Sequence, residues 1–284
     1  MVPIIGGKPG NAELVPGTVT LSAVTCPSAS ICVAVGDEDV SYMGSSPIFS
    51  VGEVVTITNG TPGSPQESAP PDPWLASPNE LFLYGVACTK VSSCVAAGNT
   101  DAYNGVVVAI KNGEPGQEKV IGGESTLVDA DTCSNKCYAV GTWSSEGGGA
   151  VVPIVNRKPV GLNEYSVQGF TAVTCYEGGT SCLAVGPSSD GGFLLPITSN
   201  GSPQTMPGVN PTAITCRKAV YCAVVGSDSQ EGAIVRVHNE TPEAAKLVSG
   251  AQSFDGVACF GPTECLAVGA NSSRAVLSKF SLPS

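Results

Sequence analysis

TCPSASICVAVG (Thr25–Gly36) introduces a unit that returns five more times. The other copies read ACTKVSSCVAAG (Ala87–Gly98), TCSNKCYAVG (Thr132–Gly141), TCYEGGTSCLAVG (Thr174–Gly186), TCRKAVYCAVVG (Thr215–Gly226) and ACFGPTECLAVG (Ala258–Gly269). In each copy two cysteines bracket a short turn, and the second opens a small apolar stretch that ends in glycine. All 12 cysteines of the chain fall inside these copies. The first cysteines, Cys26, Cys88, Cys133, Cys175, Cys216 and Cys259, follow one another at 62, 45, 42, 41 and 43 residues. A period in the low forties is that of a propeller blade or of a helical repeat pair.

Composition decides between the two. Each unit is rich in Val, Ala, Gly, Ser, Thr and Pro. Short apolar runs such as Val54–Ile57, Val106–Ile110, Val151–Val155 and Ala233–Val237 recur between turn clusters. No long window carries the three-and-four apolar spacing of an amphipathic helix. Each unit therefore reads as four short strands. The first ends at the first cysteine and the second runs from the second cysteine to the glycine. The third is the next apolar run. An Asn-containing turn follows it, at Asn59, Asn112, Asn156, Asn200 and Asn239. Asn-Gly pairs supply the positive φ that tight hairpins need. The prediction is an all-β fold, a six-bladed propeller of four-stranded antiparallel blades.

The chain reads as a single propeller domain over residues 1–284, with blades starting near 20, 82, 127, 169, 210 and 253. Met1–Val19 resembles a strand-three-plus-turn piece and is expected to close the last blade, which covers an otherwise free edge. The surplus strand-like stretch leaves room for a seventh blade without cysteines. The longer first unit carries a Pro/Ser-rich loop, Gly63–Glu80, with Trp74.

Charged residues make up 13% of the chain and the net charge is −11. Nucleic acid is a poor partner for such a chain, because phosphate binding needs a basic face. No apolar run approaches the length of a membrane span, so membrane insertion is not expected. The second cysteines are Cys32, Cys94, Cys137, Cys182, Cys222 and Cys265, after gaps of five, five, three, six, five and five residues. Zinc sites need closer pairs that converge, or histidine partners, and the chain has one histidine, His238. The pairs read instead as one disulfide per blade, each closing a short loop worth roughly 2 kcal/mol. Disulfides require an oxidising compartment, which points to a secreted or cell-surface protein.

Function belongs to the loops that follow each glycine, since loops on a rigid scaffold usually carry it. These loops differ among copies far more than the strands do. Asp37, Asp101, Glu146 and Asp190 are the candidates for carboxylate catalysis. Asp39, Tyr42, Tyr103, Trp143, Asp228, Glu231 and Arg274 are the candidates for binding. Carboxylates and amides hydrogen-bond sugar hydroxyls, and Tyr or Trp stacks on a sugar ring. The same acidic loops offer oxygen ligands to Ca²⁺. Three uses compete: a binding module for glycans or an extracellular protein partner, a glycoside hydrolase or lyase built on two loop carboxylates, and a structural assembly protein. The balance favours a binding module over an enzyme. Four sequons occur, at Asn59, Asn200, Asn239 and Asn271, and the first three are better read as turns.

The cysteine units resemble those of secreted actinobacterial repeat proteins with paired cysteines. That likeness covers nearly the whole chain and carries no assigned activity. The Asn turns are distantly similar to those of the bacterial neuraminidase-repeat, or Asp-box, propellers, which place a short repeated turn between strands three and four. No stretch here completes the Ser/Thr-x-Asp-x-Gly-x-Thr-Trp pattern. A sialidase would need three arginines on one carboxylate. This chain has Arg157, Arg217, Arg236 and Arg274, of which only Arg274 falls in the post-glycine loops.

Overall fold

The computed structural model describes residues 2, 4–5, 8–40, 49–68, 80–90, 92–133, 136–143, 147–176, 181–198, 201–218, 221–260 and 263–283. These residues form strands, turns and bends, with no helix among them. The chain divides into two compact units, Met1–Glu164 and Tyr165–Ser284.

The first unit contains three antiparallel sheets in chain order. Thr20–Ser28, Ile31–Val40 and Phe49–Thr58 build the first, edged by Thr61–Pro62 and Gln66–Glu67. Leu81–Lys90, Ser93–Thr100, Asn104–Lys111 and the first half of Glu114–Cys133 build the second. The second half of that segment, with Lys136–Trp143, Gly148–Val155 and Lys158–Pro159, builds the third. Glu114–Cys133 is thus 20 residues of unbroken extended chain serving two sheets. It passes from one to the other at residues 121–124, where Gly123 has φ 92°. At the N-terminus Ile4–Ile5 pairs with Lys8–Pro9.

The second unit repeats the plan. Its sheets are Ala172–Cys175, Cys182–Ser188, Gly191–Pro196 and Gln204–Pro207, then Asn210–Lys218, Tyr221–Ser227 and Gly232–His238 with the edge pieces Thr241–Pro242 and Lys246–Val248. Ser253–Phe260, Glu264–Ala270 and Ala275–Ser281 build the last. Six successive antiparallel sheets make this an all-β, six-bladed propeller.

The repeated glycine has a steric cause. A Cβ on Gly98 would lie 1.8 Å from the Phe82 carbonyl oxygen, and one on Gly141 would lie 1.8 Å from that of Thr126. A β-bulge in the first strand, between Leu83 and Gly85 in the second blade and between Leu127 and Asp129 in the third, brings that strand against the glycine. Threonines at the start of this strand reach the next blade. Thr171 Oγ1 lies 2.9 Å from the Pro211 carbonyl oxygen of the next blade, and Thr212 Oγ1 lies 2.5 Å from that of Phe254.

Successive residues of a strand point to opposite faces, and the continuous apolar runs of the inner strands bury both. Val33, Val35 and Val54 of the first blade pack on Leu81, Leu83 and Val108 of the second. The opposite face of the second, through Val95, Ala97 and Val107, packs on Leu127, Ala139 and Val152 of the third. Leu183, Val185 and Leu194 meet Val224, Val235 and Val237 in the same way.

Five disulfides form: Cys26–Cys32, Cys88–Cys94, Cys175–Cys182, Cys216–Cys222 and Cys259–Cys265. In four of them the cysteines face each other directly across the strand pair. The expected sixth departs from the pattern. Cys137 is a buried free thiol, and the side chain of Cys133 lies outside the described residues. The reason is register. With three residues between the two cysteines, Cys133 pairs with Lys136, and Cys137 falls opposite Thr132.

Candidate functional site

The sequence-predicted residues sit where their strands end, and most are occupied locally. Asp37 accepts from Thr20 Oγ1 at 2.5 Å, and Asp39 accepts from Ser50 Oγ at 3.0 Å. Asp101 accepts from the Ala102 amide at 2.9 Å within its own turn. Tyr103 holds a positive φ of 55° and is 68% exposed. Trp143 is half-buried, its indole lying where a Cβ on Gly148 would be. Tyr42 and Glu146 lie outside the described residues, as does Trp74.

In the second unit Asp228 accepts from the Gln230 and Glu231 amides, which hold its carboxyl below the usual range. Glu231 accepts from Ser249 Oγ at 3.0 Å. Asp190 is exposed and Arg274 is exposed. Among the described residues no group of three His, Cys, Asp or Glu side chains is gathered as metal ligands would be. Asp101 and Asp228 thus accept amides of their own turns, while Asp37, Asp39 and Glu231 accept hydroxyls.

A cavity of about 440 Å³ opens instead at the cysteine ends of the second and third blades. Lys90, Lys111 and Arg157 reach it, and its described lining residues include no carboxylate. Thr89, Ser92 and Ser93 bring hydroxyls, and Asn112 and Asn156 bring amides. Val95 and Ile154 give it an apolar wall beside Cys94 and Cys137. Burial pushes the Cys137 thiol up to about 12, with Asp131 adding to the shift, so it stays protonated at neutral pH. Among the described residues, none of the three cations has a carboxylate partner within 4.0 Å; the ion pair found there is Lys279–Glu264, at 2.6 Å. A smaller cavity of about 320 Å³ lies between the fifth and sixth blades. Its cations Arg236, Lys246 and Lys279 share the lining with Glu243.

Glu53 is a second feature that sequence reasoning missed. It is fully buried, and neither carboxylate oxygen meets a hydrogen-bond donor among the described residues. Burial, then Glu38, then Glu67 and Asp37 push its carboxyl up to about 8. At neutral pH Glu53 is therefore held as the neutral acid, which removes the buried charge.

The cavity had one signal in the sequence. Lys90, Lys111 and Arg157 fall on cysteine and Asn turns of two adjacent units, within VACTKVSS, IKNG and VNR.

The fold places the chain in the class of β-propellers. Among solved structures it is similar to a chain of a nidogen/laminin complex, with a TM-score of 0.54 and 9% identity, over 90% of this chain and 92% of that one. That likeness is one of fold. No family model matches the sequence, and no curated protein matches it.

Proposed function

We propose that this chain is a disulfide-stapled extracellular binding module whose ligand is a glycan. One observation carries the reading. The 440 Å³ cavity is of the size that holds small ligands, and its described lining residues bring hydroxyls, amides and cations, with no carboxylate pair of the kind glycoside hydrolysis uses among them. The carboxyl pushed to about 8, Glu53, is sealed from solvent and cannot serve as an acid toward a substrate. Five disulfides fit an oxidising compartment.

A second reading, a protein partner at the cell surface, draws on the structural neighbour, whose title describes a nidogen/laminin complex. The test is a glycan array run beside a panel of polysaccharides assayed for cleavage. Binding without turnover is the expected result. Cleavage of any polysaccharide would make the chain an enzyme, and an empty array would leave the protein-partner reading in its place.

A further inference from the structure

We infer that the cavity between the second and third blades is a site for an acidic sugar, a hydroxylated ring bearing one carboxylate or sulfate. The inference rests on the binding-module reading and names the ligand class. The chain carries a net charge of −11, with 24 acidic residues against 13 basic ones. On such a surface, Lys90, Lys111 and Arg157 gather around one cavity whose described lining residues include no carboxylate. A neutral ligand has no use for them. An oxyanion does, and an Arg guanidinium matches a carboxylate or sulfate with a two-pronged hydrogen bond.

Arg157 is the second residue of its hairpin turn and holds φ 63°, as Glu240 does at the same place in the fifth blade. The corresponding residue in the first and second blades is glycine, Gly60 and Gly113, at φ 81° and 85°. A side chain in this left-handed region costs about 1 kcal/mol. The half-buried Arg157 bears that cost at the cavity wall.

The repeat provides its own control. The residue after the first cysteine is Thr89 in the second blade and Tyr176 in the fourth. The second residue of the next blade's Asn turn is Arg157 in the third and Glu240 in the fifth. Between the fourth and fifth blades, the Tyr176 hydroxyl donates to Glu240 Oε1 at 2.5 Å, and Tyr176 packs on the core between the two sheets. The equivalent place between the second and third blades has a threonine and an arginine, and it is open. The architecture does not require the opening, because it can be plugged. Ser92, Ser93, Asn112 and Asn156 are placed to exchange hydrogen bonds with ring hydroxyls. Ile154 and Val95 offer an apolar wall to ring carbons.

Titration calorimetry on the full chain tests this with four probes: a glucuronate-containing disaccharide, a sulfated disaccharide, a neutral disaccharide and sodium sulfate. At least one acidic disaccharide should bind about tenfold or more tighter than the neutral one, and more weakly as salt rises. The two acidic arms distinguish carboxylate from sulfate. The double variant Thr89→Tyr/Arg157→Glu transplants the plug of the fourth and fifth blades, and should lose that binding. Lys90→Gln/Lys111→Gln, two exposed changes, should weaken it about tenfold and serves if the first variant does not fold. Equal affinity for the neutral sugar, sulfate ion binding as tightly as the sulfated sugar, no acidic binding, or unchanged affinity in the lysine variant would each overturn the assignment. Neutral glycans bound with the lysine variant unaffected would leave the binding-module reading intact and remove this one.

Discussion

Glu53 and Glu38 lie on one face of the first sheet, one step apart: Glu53 stands opposite Gly36, and Glu38 opposite Val51. With Glu67 directly across the other neighbouring strand, Glu53 is flanked by carboxylates on both sides. Its pKa of about 8 in the folded state compares with 4.5 for a free side chain. Below pH 4.5 both states hold the proton and Glu53 costs nothing through ionisation. Between 4.5 and 8 the unfolded chain releases it and the folded one does not. Stability then falls by roughly 1 to 1.5 kcal/mol per pH unit from this group alone, and levels off above 8. Glu53→Gln should therefore stabilise the protein by an amount that grows as pH rises from 5 to 8. Urea unfolding at several pH values measures it. A difference that stays constant across that range would refute the assignment.

Gly98 and Gly122 predict opposite responses to the same change. A Cβ at Gly98 would meet the Phe82 carbonyl oxygen at 1.8 Å, whereas one at Gly122 would meet nothing within 4 Å. Gly98→Ala should cost about 3 kcal/mol or more, or prevent folding, because backbone must shift. Gly122→Ala should change stability by about 0.5 kcal/mol or less. Soluble yield and denaturation midpoints decide the matter, and a well-folded Gly98→Ala protein would show that the bulge is not as close as described.

Removing one staple should cost about 2 kcal/mol, the loop-closure value for a short ring. Cys216→Ser/Cys222→Ser is the suitable pair, since the two residues face each other with a separation of 6. Guanidinium unfolding of the double variant against the parent gives the figure. No loss at all would mean that the hairpin keeps its register without the bond.

Cys137 should ignore a thiol reagent while the protein is folded. It is buried, and its thiol is pushed up to about 12, far from the thiolate that reacts. Iodoacetamide at pH 8 should leave it unmodified in native protein and label it within minutes in denaturant, as read by peptide mass. Rapid native labelling, or no labelling after unfolding without reductant, would contradict a buried free thiol.

The propeller was legible because its signals are local. The cysteine gaps, the Asn turns and the alternating apolar runs each act within a few residues, and Asn59 and Asn112 do take the positive φ expected of them, 51° and 55°. Local chemistry says less about the site. Asp101 and Asp228 look free in the sequence, yet each is held by amides of its own turn. The cavity depends on residues of two blades meeting, and on Thr89 being small where Tyr176 is large. Neither fact belongs to a single repeat. Glu53 occupies an alternating slot in VGEVVTIT, and only the packing around the strand reveals that the slot faces inward.

The unbroken segment Glu114–Cys133 has a mechanical consequence. At one end of the second and third blades the two sheets share a single backbone, fastened there by the Ser125 amide donating to the Tyr103 carbonyl at 2.8 Å. At the other end lies the cavity. Lys90, Lys111 and Arg157 thus stand on two sheets joined by one continuous backbone, and the proposed site would lose little freedom on taking a ligand.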